Sequence, residues 1–291
     1  MSGTRSSGRP LAAFLAFGTF WGGWAVLVPQ VQAAIGASKG ALGLALLAVG
    51  AGSVPAMLAV RRLLDRHAHR LTPLAFAVMA GTVLLPGAAG SVAALAAALL
   101  AVGACSGVAD VAINAEIAAI EAERERPLMG LAHGLYSVGV MVGAVTSGLL
   151  RQAGLERVPI LAVFAACLLA AAVANRSRPP HPRAPAALPR ARIALPLILI
   201  GTACAVAFVV ESGIETWSAL FLQRDLGAGP AASSAGPAAF GAAMASGRLL
   251  GHRLTRSLAD RVLLTGGGAL AAAGLLVAAV AQSLPLAATG C

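Results

Sequence analysis

The chain has 291 residues, 58% of them hydrophobic and only 11% charged, with a mean hydropathy of +0.84. Water-soluble domains carry roughly 25% charged residues, so this composition excludes an ordinary soluble globule. The net charge of +10 raises nucleic acid as a partner, but the basic residues stand in short clusters between long apolar runs, with no basic helix or aromatic-basic platform; loops of a membrane protein explain them better.

A membrane-spanning helix needs about 20 mostly apolar residues, and nine stretches meet that length: 11–35, 41–60, 72–90, 92–118, 130–150, 159–175, 193–213, 233–251 and 261–282. The expectation is an all-α integral membrane protein whose partner is the lipid bilayer. The first stretch precedes "VQA" at Val31–Ala33, which resembles a signal-peptide cleavage site. It is longer than a signal's usual apolar region, so it reads as a span. Residues 176–192, rich in proline and arginine, form a solvated cytoplasmic linker. They divide the chain into an N-terminal half at 1–175 with six spans and a partial C-terminal half at 193–291 with three.

With the N-terminus placed inside, all of the 21 basic residues except Lys39, Arg151, Arg157 and Arg224 fall on the inner side, as the positive-inside rule requires. A faint internal repeat supports the same division. Trp24, Leu27 and Gln30 in "WAVLVPQ" match Trp217, Leu220 and Gln223 in "WSALFLQ", and "RRLLDRHAHR" after span two matches "GRLLGHRLTR" after span eight. Parallel halves of this kind occur in secondary transporters. The four cysteines show no metal-binding or disulfide spacing. Neither a Walker motif nor HExxH nor GxSxG is present, so the residues give no support for ATP coupling, an enzyme or a cofactor.

These segments resemble the major facilitator superfamily, and within it the fucose-permease-like branch. "RRLLDRHAHR" is similar to the superfamily's signature between spans two and three: Asp65, Arg66 and Arg70 match, while Arg61 and Ala68 stand where glycines are usual. "GVADVAINAEIAAIE" is similar to the branch's fourth span, and "LMGLAHGLYSVGVMVGA", with His133, Ser137, Gly139 and Gly143, to its fifth. "ESGIETWSALFLQRDLGAGPAA" and "AAFGAAMASGRLLG" are similar to its seventh and eighth spans, with Glu211 matching and Thr216 replacing the usual Asp. The resemblance implies a bundle of twelve spans that moves a small solute by rocking two halves around a central site, usually with protons. Nine spans here imply a fragment or a truncated product.

The candidate site residues follow from this frame. Ser106, Asp110, Asn114 and Glu121 fall within about 80° of arc on a helix, forming one polar stripe, while Glu116 lies on another face. Intramembrane acids rarely face lipid, so Asp110 is the first candidate for proton coupling, with Asn114 one turn on in the solute cavity. A packing hydrogen bond between helices is the alternative. Glu211 is the second coupling candidate; it shares a face with Glu215, placed at the outer end of span seven as a gate or second acid site, or simply exposed there. His133 and Ser137, and the repeat-related Trp24, Gln30 and Trp217, are cavity candidates, against plain hydration or interfacial anchoring. Asp65, Arg66, Arg70 and Arg248 are candidates for a cytoplasmic gate. Glu121, Glu123 and Glu125 read as a solvated edge or gate pairs, and Gly139, Gly143 and Ser147 as a close-packing stripe.

The function expected is secondary transport of a small polar solute such as a sugar, coupled to protons, in a bacterial-type plasma membrane with the N-terminus cytoplasmic. Drug efflux by antiport, or a non-transporting membrane protein, uses the same parts; no metal is implied and nothing in the residues sets an oligomeric state.

Overall fold

The computed structural model describes residues 8–176, 195–254 and 258–291. Among them every regular element is a helix: α1 (Gly8–Ile35), α2 (Lys39–Thr82), α3 (Leu85–Ala88), α4 (Val92–Arg124), α5 (Met129–Gln152), α6 (Arg157–Asn175), α7 (Leu195–Arg224), α8 (Pro230–Ser233), α9 (Ala235–Leu254), α10 (Asp260–Val280) and α11 (Leu284–Gly290). The reason is elementary: hydrocarbon offers no partner for a backbone N–H or C=O, and a helix satisfies both internally. Helix starts that reach water use side chains instead. The Ser38 hydroxyl accepts from the Ala41 amide at 3.1 Å, and Ser91 accepts from Ala94 at 3.2 Å.

Among the described residues, eight helical stretches are long and apolar enough to cross a membrane; Lys39–Val60 lies within α2, and Arg70–Ala88 runs from the second part of α2 through α3. The ninth expected span, 233–251, forms the 20-residue α9, but it is not among the eight. Its glycines and serine, with Arg248, His252 and Arg253, dilute its apolar character. Span seven also differs from expectation. It runs on to Arg224, because "WSALFLQ" continues the helix and buries Ser218, Ala219, Leu220 and Leu222. Glu211 and Glu215 therefore sit within α7 rather than at its outer end. The proline-rich linker falls almost wholly outside the described residues.

α1 is the central helix. Phe14, Phe20, Trp24, Leu27, Val28 and Val31 are each no more than 3% exposed, and they join one core cluster with Phe76 and Met79 of α2, Leu95 and Ile113 of α4, and Ile160 and Phe164 of α6. Two helix pairs approach by interlocking glycines. Gly18 and Gly22 of α1 lie against the Tyr136 and Val140 carbonyls of α5, while Gly139 and Gly143 of α5 lie against Leu15 and Thr19 of α1. In the same way Gly52 of α2 meets Leu100 of α4, and Gly103 and Gly107 of α4 meet Val49 and Ser53 of α2. Lipid tails are as apolar as leucine, so close backbone contact of this sort is what holds such helices together. α10, by contrast, buries none of its residues, and Leu197, Leu199, Phe208 and Val209 of α7 are more than half exposed; such faces suit lipid.

The turn between α4 and α5 is tightly made. Glu125 closes α4 in the left-handed region at φ 53°, and Glu121 folds forward to accept from the backbone amides of Leu128 and Met129 at 2.8 and 2.9 Å. Glu121 is thus a cap for the start of α5, where negative charge also complements the helix dipole. Glu121→Ala should cost about 1–2 kcal/mol, lowering the melting midpoint in detergent by about 2–8 °C. Glu121→Gln, which keeps an acceptor, should lose less.

Candidate functional site

The polar stripe on α4 exists as a local hydrogen-bonded pair. The Asn114 side-chain amide donates to the Asp110 carboxylate at 3.0 Å and to its backbone carbonyl at 2.9 Å. Both side chains are half-buried, with Ser106 buried one turn earlier. Asn114 thus orients one oxygen of Asp110 and leaves the carboxylate's other lone pairs for a further donor.

A second group forms where α5, α7 and α9 meet. α9 packs along α5 through small residues: Gly241 lies against the Met141 backbone, and Gly134 of α5 against the Leu249 side chain. This brings Arg248 of α9 across to α5 and α7. One guanidinium nitrogen donates to the Ser137 hydroxyl at 2.7 Å and to the His133 carbonyl at 3.3 Å, and the other lies 3.4 Å from Glu211. Ser137 passes the chain on by donating to the His133 carbonyl at 3.0 Å. Arg248 and Glu211 remain 29% and 32% exposed, so water or a solute can reach the pair. One turn along α7, the buried Oε1 of Glu215 accepts no hydrogen bond from the described residues.

Tyr136 is the one tyrosine of the chain. It lies within electrostatic reach of Asp110, Glu211, Glu215 and Arg248, and its ring stands 5.9 Å from that of Phe17. Phe17 in turn contacts Trp21 and Phe76, and His133 meets Phe14 edge-on at 5.3 Å. Phe14, Phe17 and Phe76 are buried in the core, so the ionisable groups lie beside packed aromatic rings inside apolar helices. Intramembrane charges are costly unless paired or hydrated, so this set is the natural candidate for solute and proton binding.

At the far end of α5 a third polar group forms around Arg151, which is 8% exposed. Its guanidinium donates to the Val26 carbonyl of α1 at 2.8 Å, to Gln223 of α7 at 2.8 Å and to the Ser233 hydroxyl of α8 at 3.4 Å.

A family model described as Major Facilitator Superfamily matches residues 11–291. The chain belongs to the Major Facilitator Superfamily. It is similar to an uncharacterized MFS-type transporter of Yersinia pestis, 36% identical over 275 residues that cover 91% of this chain and 70% of the relative. An uncharacterized transporter of Sinorhizobium fredii is 27% identical, covering 96% of this chain and 75% of the relative. The membrane protein MosC of Rhizobium meliloti is 26% identical, covering 88% and 63%. Among solved structures, the nucleoside transporter NupG superposes with a TM-score of 0.65 at 15% identity, over 97% of this chain and 77% of that one; the likeness concerns the fold. The chain is accordingly a multi-pass membrane transporter of the MFS class, not an enzyme.

Within this MFS bundle the candidate residues separate. Asp110 and Asn114 pair on α4, and Glu211, His133, Ser137 and Arg248 meet in the second group, so Arg248 binds within the bundle. Trp24 is buried in the core at 3% exposure. Trp217 is half-buried, packing on that core and beside Gly43 of α2. Gln30 lies against the Leu155 carbonyl, at 3.5 Å, beyond the end of α5, away from Asp110 and Arg248. Arg70 is exposed, and the side chains of Asp65 and Arg66 lie outside the described residues. Sequence reasoning missed Tyr136, whose signal was its being the sole tyrosine, and the burial of Glu116. Glu116 is fully buried because it shares the stripe of Ile113, Ile117 and Ile120, spaced at i, i+3, i+4 and i+7.

Proposed function

We propose that the chain moves a small polar solute, such as a sugar, across a bacterial inner membrane by alternating access coupled to protons, as a member of the fucose-permease-like branch with its N-terminus cytoplasmic. The observation that carries this reading is the pair of hydrogen-bonded polar groups inside apolar helices: Asp110 with Asn114, and Arg248 with Glu211, Ser137 and His133. An acid beside a donating amide keeps a hydrogen bond to its carboxylate when it releases a proton, which lowers the cost of the bare charge. An arginine shared between a carboxylate and a hydroxyl offers both donors and acceptors to a hydroxylated solute. The aromatic face of Trp21, which is half-buried, suits the apolar side of a sugar ring. Differential binding of solute and proton to two states of the bundle would then drive exchange between them. Asp65, Arg66 and Arg70 remain the proposed gate at the cytoplasmic surface, and the six-plus-three division about the linker the proposed domain plan.

The test is uptake into proteoliposomes under an imposed proton gradient, run over a panel of neutral sugars, polyols, nucleosides and amines. Gradient-dependent accumulation of a neutral hydroxylated solute is expected. Accumulation of none of the panel, by protein shown to be folded, would refute the assignment.

A further inference from the structure

Two arginines grip α5 at its opposite ends. Arg248 engages Ser137 and His133 near the start of the helix, whereas Arg151 lies about 21 Å further along it at 1.5 Å per residue. The contacts of Arg151 differ in kind from those of Arg248. It is 8% exposed, yet its acceptors are uncharged: the Val26 carbonyl, the Gln223 amide oxygen and the Ser233 hydroxyl. A guanidinium is removed from water at a large cost unless its N–H groups are bonded. Uncharged acceptors meet that need while holding it less firmly than a buried carboxylate would. The grip also joins segments from both sides of the linker, since α1 and α5 precede residues 176–192 and α7 and α8 follow them. Packing is close at the same place: a Cβ on Gly148 of α5 would meet the Ser234 side chain at 2.7 Å.

We propose that Arg151 is the gate residue for the end of the bundle opposite Arg248, sealing α1 and α5 against α7 and α8, and that its release is the step that opens that end. The inference rests on the alternating-access reading above. It gives Arg151 a positioning role: it does not touch the solute but sets which end is shut. It also gives Gln223, the repeat partner of Gln30, a role as an acceptor for the gate. Arg248, besides its place in the proposed solute site, ties α5 to α7 and α9 towards the other end; opening one end must favour closure of the other, so the two arginines should act in opposite directions on one observable.

That observable needs no solute. In a background with the four native cysteines replaced by serine, Ser234→Cys places a thiol at a site only 6% exposed. Its rate of modification by a polar maleimide is measured in nanodiscs, where both faces are reachable. Arg151→Gln should raise the rate about tenfold or more, because charge-assisted bonds of this kind each weigh about that much. Gln223→Ala and Arg151→Lys should raise it less, and Arg248→Gln should lower it. A rate in Arg151→Gln within about twofold of the parent would overturn the proposal. So would equal rises in Arg151→Gln and Arg248→Gln, which would mean that the bundle loosens as a whole. If Arg151→Gln fails to fold, Arg151→Lys and Gln223→Ala against Arg248→Gln make the same comparison. Solute uptake with an unchanged labelling rate would count against the gate alone, and the labelling pattern without uptake against the transport reading alone.

Discussion

Gly143→Leu is expected to abolish assembly of the bundle. Gly143 lies against the Thr19 carbonyl and the Gly23 amide of α1, so close that even a single added carbon would overlap backbone atoms. Backbone cannot rotate away as a side chain can, and the helices would have to separate along the whole interlock formed by Gly18, Gly22, Gly139 and Gly143. Overpacking in a well-packed interior costs typically 1–3 kcal/mol even where neighbours can move. Here they cannot, and the loss should exceed that range. The check is size-exclusion recovery in detergent: Gly143→Leu should yield little monodisperse protein, and Gly143→Ala a reduced amount. Gly50→Leu is the control, because nothing lies within 4 Å of a carbon added there, and it should behave as the parent does.

Arg248→Ala should reduce transport by about 5- to 150-fold while shifting thermal stability only slightly. The substitution removes the donor to the Ser137 hydroxyl and to Glu211 together, leaving Glu211 unpaired between α5, α7 and α9. Because both members of the pair are about 30% exposed, water screens much of the cost to folding. Coupling between states is less forgiving, since a contact made in one state alone contributes about 1–3 kcal/mol there. A cycle with Glu211→Gln separates the cases. If the pair acts as a unit, the double variant should lose little more than either single one. Independent, additive losses would show that Arg248 serves transport without Glu211.

Hydropathy made the spans legible because the bilayer admits so few backbone solutions. The same rule says nothing of helix ends that pass beyond the apolar window, and so the length of α7 and the depth of Glu211 were not readable. The stripe of Gly139, Gly143 and Ser147 identified a contact face of α5. Its partner, α1, was not legible, since small-residue spacing marks a face without naming the neighbour. Asp110 and Asn114 pair as their one-turn spacing suggests. By contrast Glu121, expected at a solvated edge, caps α5, because the chain turns back there and presents two free amides. In the sequence Arg151 is only one of the four basic residues that fall off the inner side. Its burial depends on α1, α7 and α8 converging, which no local pattern records.

The most direct measurement is solute-driven proton movement in proteoliposomes, comparing the parent with Asp110→Asn. Adding the solute found by the uptake screen should produce an alkaline shift outside vesicles of the parent and none with Asp110→Asn. Exchange of labelled for unlabelled solute, which needs no net proton movement, should persist in the variant at a rate within about tenfold of the parent. Proton movement of unchanged size in folded Asp110→Asn would contradict coupling through this residue.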